Sequence, residues 1–202
     1  MASPPPLPPT SPPPPPAHPD EPRSNALRIV APLLIGAGVA VAMGVYGRTH
    51  TPSGVSVNVA GFSNPQSVKS WLATAAAALA VIQLLTAQAM WGKLPGASHL
   101  ASVSWPASLH RWSGRLAFLA AVPVAAHCLY ALGYQAFDIR TLGHSLAGCF
   151  FFGAFTTKML LLRTRRLPGW ALPLIGGAVF TALIVLWLTS AVWFFTLNGI
   201  HY

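Results

Sequence analysis

The chemistry open to this chain of 202 residues is narrow, because its reactive side chains are few: three carboxylates, two cysteines and seven histidines. The carboxylates, Asp20, Glu21 and Asp138, all lie outside the long apolar runs. Paired acids for hydrolysis, a carboxylate proton relay and a carboxylate-rich metal site are therefore excluded. Ser145 stands beside His144, but neither a third group nor an oxyanion loop accompanies the pair, as nucleophilic catalysis requires. Cys128 and Cys149 are single thiols and no C-x-x-C occurs, which argues against a dithiol oxidase and for buried free cysteines. Histidine remains. His18, His50, His99 and His201 fall in the tail, the connections and the C-terminus, His110 at the start of an apolar run, and His127 and His144 within apolar runs. An ionisable residue inside a membrane span is a functional candidate by default.

The elements that must position these histidines are membrane helices. The chain is 53% hydrophobic and 7% charged, with a mean hydropathy of +0.55, where a soluble domain carries about 25% charged residues. A span needs about 20 apolar residues, and the runs predict five, at 27–46, 70–91, 110–133, 142–162 and 171–195. The fold class expected is all-α, an integral membrane bundle of five helices over residues 26–202. Residues 1–25, dominated by proline, cannot bury a core and are expected to form a disordered cytoplasmic tail. That tail lacks the basic start and apolar centre of a secretory signal, so the first span is expected to act as a signal anchor. Segment 47–70 reads as the one sizeable outer loop, and 92–108 as an inner connection with room for a short interfacial helix.

The net charge of +9 would suit nucleic acid, but its distribution does not. With the N-terminus inside, nine of the 12 Lys and Arg residues (Arg23, Arg28, Lys93, Arg111, Arg115, Lys158, Arg163, Arg165, Arg166) lie in inner segments, and Arg48, Lys69 and Arg140 outside. This asymmetry satisfies the positive-inside rule. The partner it implies is the lipid bilayer of the cell membrane, with no nucleic acid, a cytoplasmic N-terminus and an external C-terminus.

His127 and His144 fall on consecutive spans joined by a short outer connection, and at 1.5 Å per residue they differ in depth by only about 6 Å. They are expected to face one another, the arrangement that clamps a haem iron from both sides. His110 and Gly114, like His144 and Gly148, form H-x-x-x-G, each continuing to a phenylalanine, Phe118 and Phe152, at an offset of eight. Residues four apart share a helix face, so each glycine would leave room for a flat ring beside its histidine. The competing reading is that small residues promote close helix packing and the imidazoles hydrogen-bond between helices.

The run "LHRWSGRLAF", with His110, Arg111, Ser113 and Gly114, resembles the start of the first membrane helix in succinate dehydrogenase cytochrome b anchors. "HSLAG", 144–148, resembles the haem-ligand helix of those anchors. The basic, aromatic approach to a span followed by a deep histidine is also similar to cytochrome b561 and ferric-reductase-like membrane proteins. The resemblance covers about residues 105–163. It implies a haem ligand at His144 and a quinone near Arg111 and Ser108; a second, inner haem at His110 would need a partner from Met90, Met159 or His99. Two departures stand out. Ferric-reductase-like proteins stack paired histidines on one helix face, whereas the separation of His110 and His127 turns them by roughly 100°. "CFFFGAF" supplies neither the Arg-His nor the Asp that follows in the succinate dehydrogenase pattern.

The leading expectation is thus a membrane-embedded b-type haem protein in electron transfer, open to a quinone and to a redox partner subunit. Its metal ligands would be His127, His144 and His110, and its cofactor-binding residues Arg111, Gly114 and Gly148. The alternative is a non-redox accessory subunit whose histidines only hydrogen-bond between helices. A transporter ranks last, for want of an acidic coupling site or a broken-helix pair.

Overall fold

Prolines and side-chain caps set where the helices begin. The computed structural model describes Met1 and residues 22–164 and 167–200, with side chains from residue 27 onward. The proline tail with His18, the pair Arg165 and Arg166, and His201 lie outside the described residues. Helix α1 (Pro22–Thr49) is followed by an irregular segment with no strand in its alternating stretch. Helix α2 (Pro65–Met90) starts with proline in its first turn, and the Asn64 side chain caps it by accepting from the Ser67 amide at 2.9 Å. A 3₁₀ turn (Ser98–Ser102) occupies the segment expected to hold a short helix. Helix α3 (Trp105–Ala126) runs on through a π-helical turn (His127–Leu132) and stops at Gly133, whose φ of 71° suits glycine.

Helix α4 (Ile139–Leu161) opens with a reciprocal cap. The Asp138 carboxylate accepts from the Thr141 amide at 2.7 Å, and the Thr141 hydroxyl oxygen accepts from the Asp138 amide at 3.2 Å. The hydrogen bond from the Thr141 amide, chief among several contributions, holds this carboxyl below the usual carboxylate range. Helix α5 (Ala171–Trp187) continues through a second π turn (Leu188–Val192) into α6 (Trp193–Asn198). Most helices begin three to five residues before the expected spans, because capping residues and first-turn prolines lie ahead of the apolar runs.

Four stretches, Leu27–Thr49, Pro65–Met90, Trp105–Leu132 and Ala171–Asn198, are long and apolar enough to cross a membrane. At 23 residues α4 has the length as well, but it carries Arg140, His144 and Lys158 and falls outside that set. The distribution of side chains is that of a chain solvated by hydrocarbon. Leu33, Leu34, Val41, Leu119 and Leu174 face outward, while the interior is built from Ala76, Ala80, Ala121, Ser113, Thr86 and Thr157. Small residues inside let backbones approach closely, which is how helices adhere where lipid removes the hydrophobic drive.

Packing runs round a ring. Helix α1 lies on α4, α4 on α5, α5 on α2 and α2 on α3, and the π turn that ends α3 returns to α1. The α1 and α4 backbones meet at Gly36 and Gly153: a methyl at Gly153 would stand 2.6 Å from the Gly36 carbonyl oxygen and 2.9 Å from the Ala40 side chain. Beside them the buried Thr157 hydroxyl donates to the Pro32 carbonyl at 3.2 Å. Helices α3 and α4, whose short connection was expected to set His127 and His144 face to face, are instead held apart and bridged by rings. Phe118 stacks on Phe155 at 4.3 Å and meets Phe152 edge-on at 6.1 Å.

Candidate functional site

The separation of α3 from α4 leaves a partly open cavity of about 120 Å³, lying between the Phe118 cluster and the end of the bundle that carries the 51–64 segment. One wall is α3 and its π turn, through Ala121, Val124, Ala125, Cys128 and Leu129. The other is α4, through His144, Ser145, Gly148 and Cys149, with α5 contributing Leu183, Leu186 and Trp187 and the π turn after it Ser190. The walls are apolar apart from a few groups, which is the usual make-up of a small-molecule site.

His144 is the one imidazole on this cavity, and a hydrogen-bond chain fixes its tautomer. The Thr189 hydroxyl has a single proton, which it donates to the Val185 carbonyl at 2.7 Å. Toward His144 Nδ1, 2.9 Å away, the same oxygen can therefore only accept. Nδ1 of the neutral ring carries the proton, and Nε2 keeps a lone pair with no hydrogen-bond partner among the described residues. The π turn at Leu188–Val192 is what brings Thr189 to this spot, and it also turns the Thr189 carbonyl toward the Arg140 guanidinium, which donates to it at 2.8 Å. Arg140 is pinned further over the Trp193 ring at 3.8 Å and beside the Asp138 carboxylate at 3.9 Å. One turn beyond His144, Gly148 faces open space, where a methyl would find nothing nearer than Leu186 at 3.8 Å.

His110 repeats the tautomer but not the space. The Thr86 hydroxyl donates to the Ile82 carbonyl at 2.7 Å and so accepts from His110 Nδ1 at 3.0 Å, while the Gln83 carbonyl accepts from the same nitrogen at 3.1 Å. The slot expected at Gly114 is filled by Gln83: a methyl there would stand 3.0 Å from the Gln83 amide oxygen. The Gln83 amide nitrogen donates to the His110 carbonyl and, at 2.9 Å, to the Ser113 hydroxyl. At the end of the bundle remote from the cavity, His110 and Gly114 thus form a polar clasp between α2 and α3. Arg111 is exposed and, like Ser108, takes no part in the cavity.

The structure does not bring His127 and His144 into one space. His127 is absent from the cavity wall, and its Nε2 is buried without a partner among the described residues. Helical phase is the reason: Val124 and Cys128 share the cavity face, and His127, about 100° round from Cys128, falls on the flank. His50 is occupied elsewhere. Its ring stacks between Tyr46 and Tyr130 at 4.9 and 5.1 Å, and its Nε2 meets the Tyr130 carbonyl at 3.1 Å. Ser145 is spent as a staple, donating to the Gln135 carbonyl at 2.9 Å and accepting from its amide at 3.1 Å, so it is no nucleophile. Sequence reasoning missed Thr189, because a back-bonded threonine in a π turn has no local pattern, whereas Cys128 and Cys149 are the free cysteines it expected.

Among the described residues no three His, Cys, Asp or Glu side chains converge on a point that could hold a bare metal ion. A macrocyclic metal group has a different requirement. It asks for one or two donors facing an apolar slot; here His144 lines the cavity and Gly148 leaves its own face open, in a space of about 120 Å³ that α3 and α4 would have to widen to take such a ring. No curated protein and no solved structure matches the chain. A family profile matches residues 29–202, from the first helix to the C-terminus, and on that match the chain belongs to the family of unknown function DUF6529.

Proposed function

We propose that this is a five-span protein of the cell membrane, with its N-terminus cytoplasmic, that holds one haem b in the cavity with His144 as axial ligand and takes part in electron transfer. The observation that carries the reading is that His144 lines the cavity while Thr189 holds its Nδ1, which leaves Nε2 without a hydrogen-bond partner among the described residues. Fixing a histidine through its other nitrogen is the usual support of a metal ligand. Haem b bound there would supply reversible one-electron chemistry. The residues of the chain would orient it, exclude water through the Phe118 cluster, and meet its carboxylates with cations of the same end, Arg48 and Lys69. Arg140 in α4, already neutralised by hydrogen bond, ring and carboxylate, is compatible with a fifth span entered at this point.

The reading of the histidines as hydrogen-bonding groups between helices is favoured at His110, where the clasp is complete and Gln83 fills the slot. A quinone near Arg111 finds no such support. The test is the visible spectrum of the full-length protein purified from haem-replete cells, before and after dithionite. A Soret band with reduced α and β bands is expected in the wild type and in His110→Ala, and its loss in His144→Ala. A colourless, folded and monodisperse wild-type protein would reject the proposal in favour of a non-redox accessory subunit.

A further inference from the structure

On the side of the phenylalanine rings remote from the cavity, the seam between α3 and α4 carries cations and, among the described residues, no carboxylate. Phe118 of α3 stacks on Phe155 of α4 at 4.3 Å. Lys158 follows Phe155 by three residues and Arg115 precedes Phe118 by three. In these antiparallel helices both therefore lie about 4.5 Å from the rings toward the same end. Arg111 stands two turns from Phe118 and within about 20° of its direction round the helix. Lys158 is half-buried and near enough to His110 of α3 to act on it electrostatically, which places its ammonium in the gap between the helices. It makes no hydrogen bond and no ion pair among the described residues. The one carboxylate side chain among them, Asp138, is at the opposite end beside Arg140.

A charge held at this depth calls for an anion, and the surroundings indicate its kind. Leu116 next to Arg115, and Met159 and Leu162 around Lys158, are turned outward. Trp112 is also exposed, with the Arg115 guanidinium over its ring at 5.1 Å, and such a ring settles at the level of the lipid headgroups. A free phosphate would gain nothing from these apolar neighbours, whereas a phospholipid would lay its acyl chains along them and bring its phosphate to the cations. A zwitterionic headgroup would bring a cation of its own to a place that already holds three. Basic recesses between membrane helices on the cytoplasmic side are known to hold anionic headgroups.

We propose that the α3–α4 seam binds one anionic phospholipid, its phosphate held by Lys158 from α4 and by Arg111 and Arg115 from α3. The lipid then joins two helices that do not pack directly on one another, and this holds whatever occupies the cavity. The experiment titrates the delipidated full-length protein in detergent with phosphatidylglycerol, phosphatidylcholine or inorganic phosphate, counting bound lipid by native mass spectrometry and following the melting temperature. Phosphatidylglycerol is expected to be retained as one molecule and to raise the melting temperature; the other two are not. Lys158→Gln should weaken its binding about fivefold or more. Arg163→Gln, which removes an exposed charge beyond the end of α4, should leave it unchanged. Equal binding of phosphatidylcholine overturns the proposal, as do equal losses in the two variants or an equal effect of inorganic phosphate. Binding that arises only once residues 2–22 are deleted would assign the seam to the carboxylates of Asp20 and Glu21 instead. Should Lys158→Gln fail to fold, Arg111→Gln combined with Arg115→Gln carries the same expectation.

Discussion

One hydroxyl decides what the cavity can bind. Because Thr189 gives its own proton to the helix backbone, it can only accept from His144, and Nε2 is left without a hydrogen-bond partner among the described residues. Thr189→Val keeps the shape and removes that acceptor. Under the haem reading it should lower haem affinity roughly 10- to 100-fold, as loss of an outer-shell partner does, and Thr189→Ser should restore it; titration of the apoprotein with haem measures both. The residue scale is also where sequence reasoning divided. His144 and Gly148 were legible because a histidine followed by a glycine one helical turn later keeps its meaning whatever surrounds it. The same pattern at His110 and Gly114 was read alike, yet Gln83 reaches over from α2 to fill the slot, and nothing near residue 114 announces a side chain from residue 83. Residue type points to His127, whereas helix phase puts Cys128 and not His127 on the cavity wall.

At the scale of elements, apolar run length gave all five long helices, and capping residues account for where most of them begin. What run length does not encode is spacing between helices. A short connection makes two helices antiparallel, and it predicts His127 and His144 face to face. The lateral distance of α3 from α4 is set by what lies between them, here aromatic rings on one side and a cavity on the other. The α1–α4 contact is the opposite extreme, with two backbones meeting through glycine. Gly153→Ala would press a methyl against the Gly36 carbonyl and should destabilise the protein by about 1–3 kcal/mol, seen as a lower melting temperature in detergent. Gly148→Ala, placed where the nearest atom is 3.8 Å away, should leave that temperature nearly unchanged. Equal losses from the two substitutions would show that the α1–α4 approach is not what makes Gly153 necessary.

For the whole molecule, the placement of the cationic residues predicts which end of the ring faces the cytoplasm. With the N-terminus inside, the ends joined by segments 91–104 and 162–170 are cytoplasmic, and the cavity opens toward the outside. A tag at Ser3 should resist external protease in right-side-out vesicles while a tag after Tyr202 is removed, and the reverse pattern would invert the assignment. The off-centre position of the cavity then has an electrical consequence. His144 sits about 7 Å inside the end of α4 in a hydrocarbon layer of about 30 Å. A unit charge appearing there feels roughly a quarter of the membrane voltage, about 0.6 kcal/mol for each 100 mV where a full crossing would involve about 2.3. Under the haem reading and with the N-terminus inside, a group gaining or losing an electron in this socket would therefore hold nearly the same potential whether the cell is energised or not.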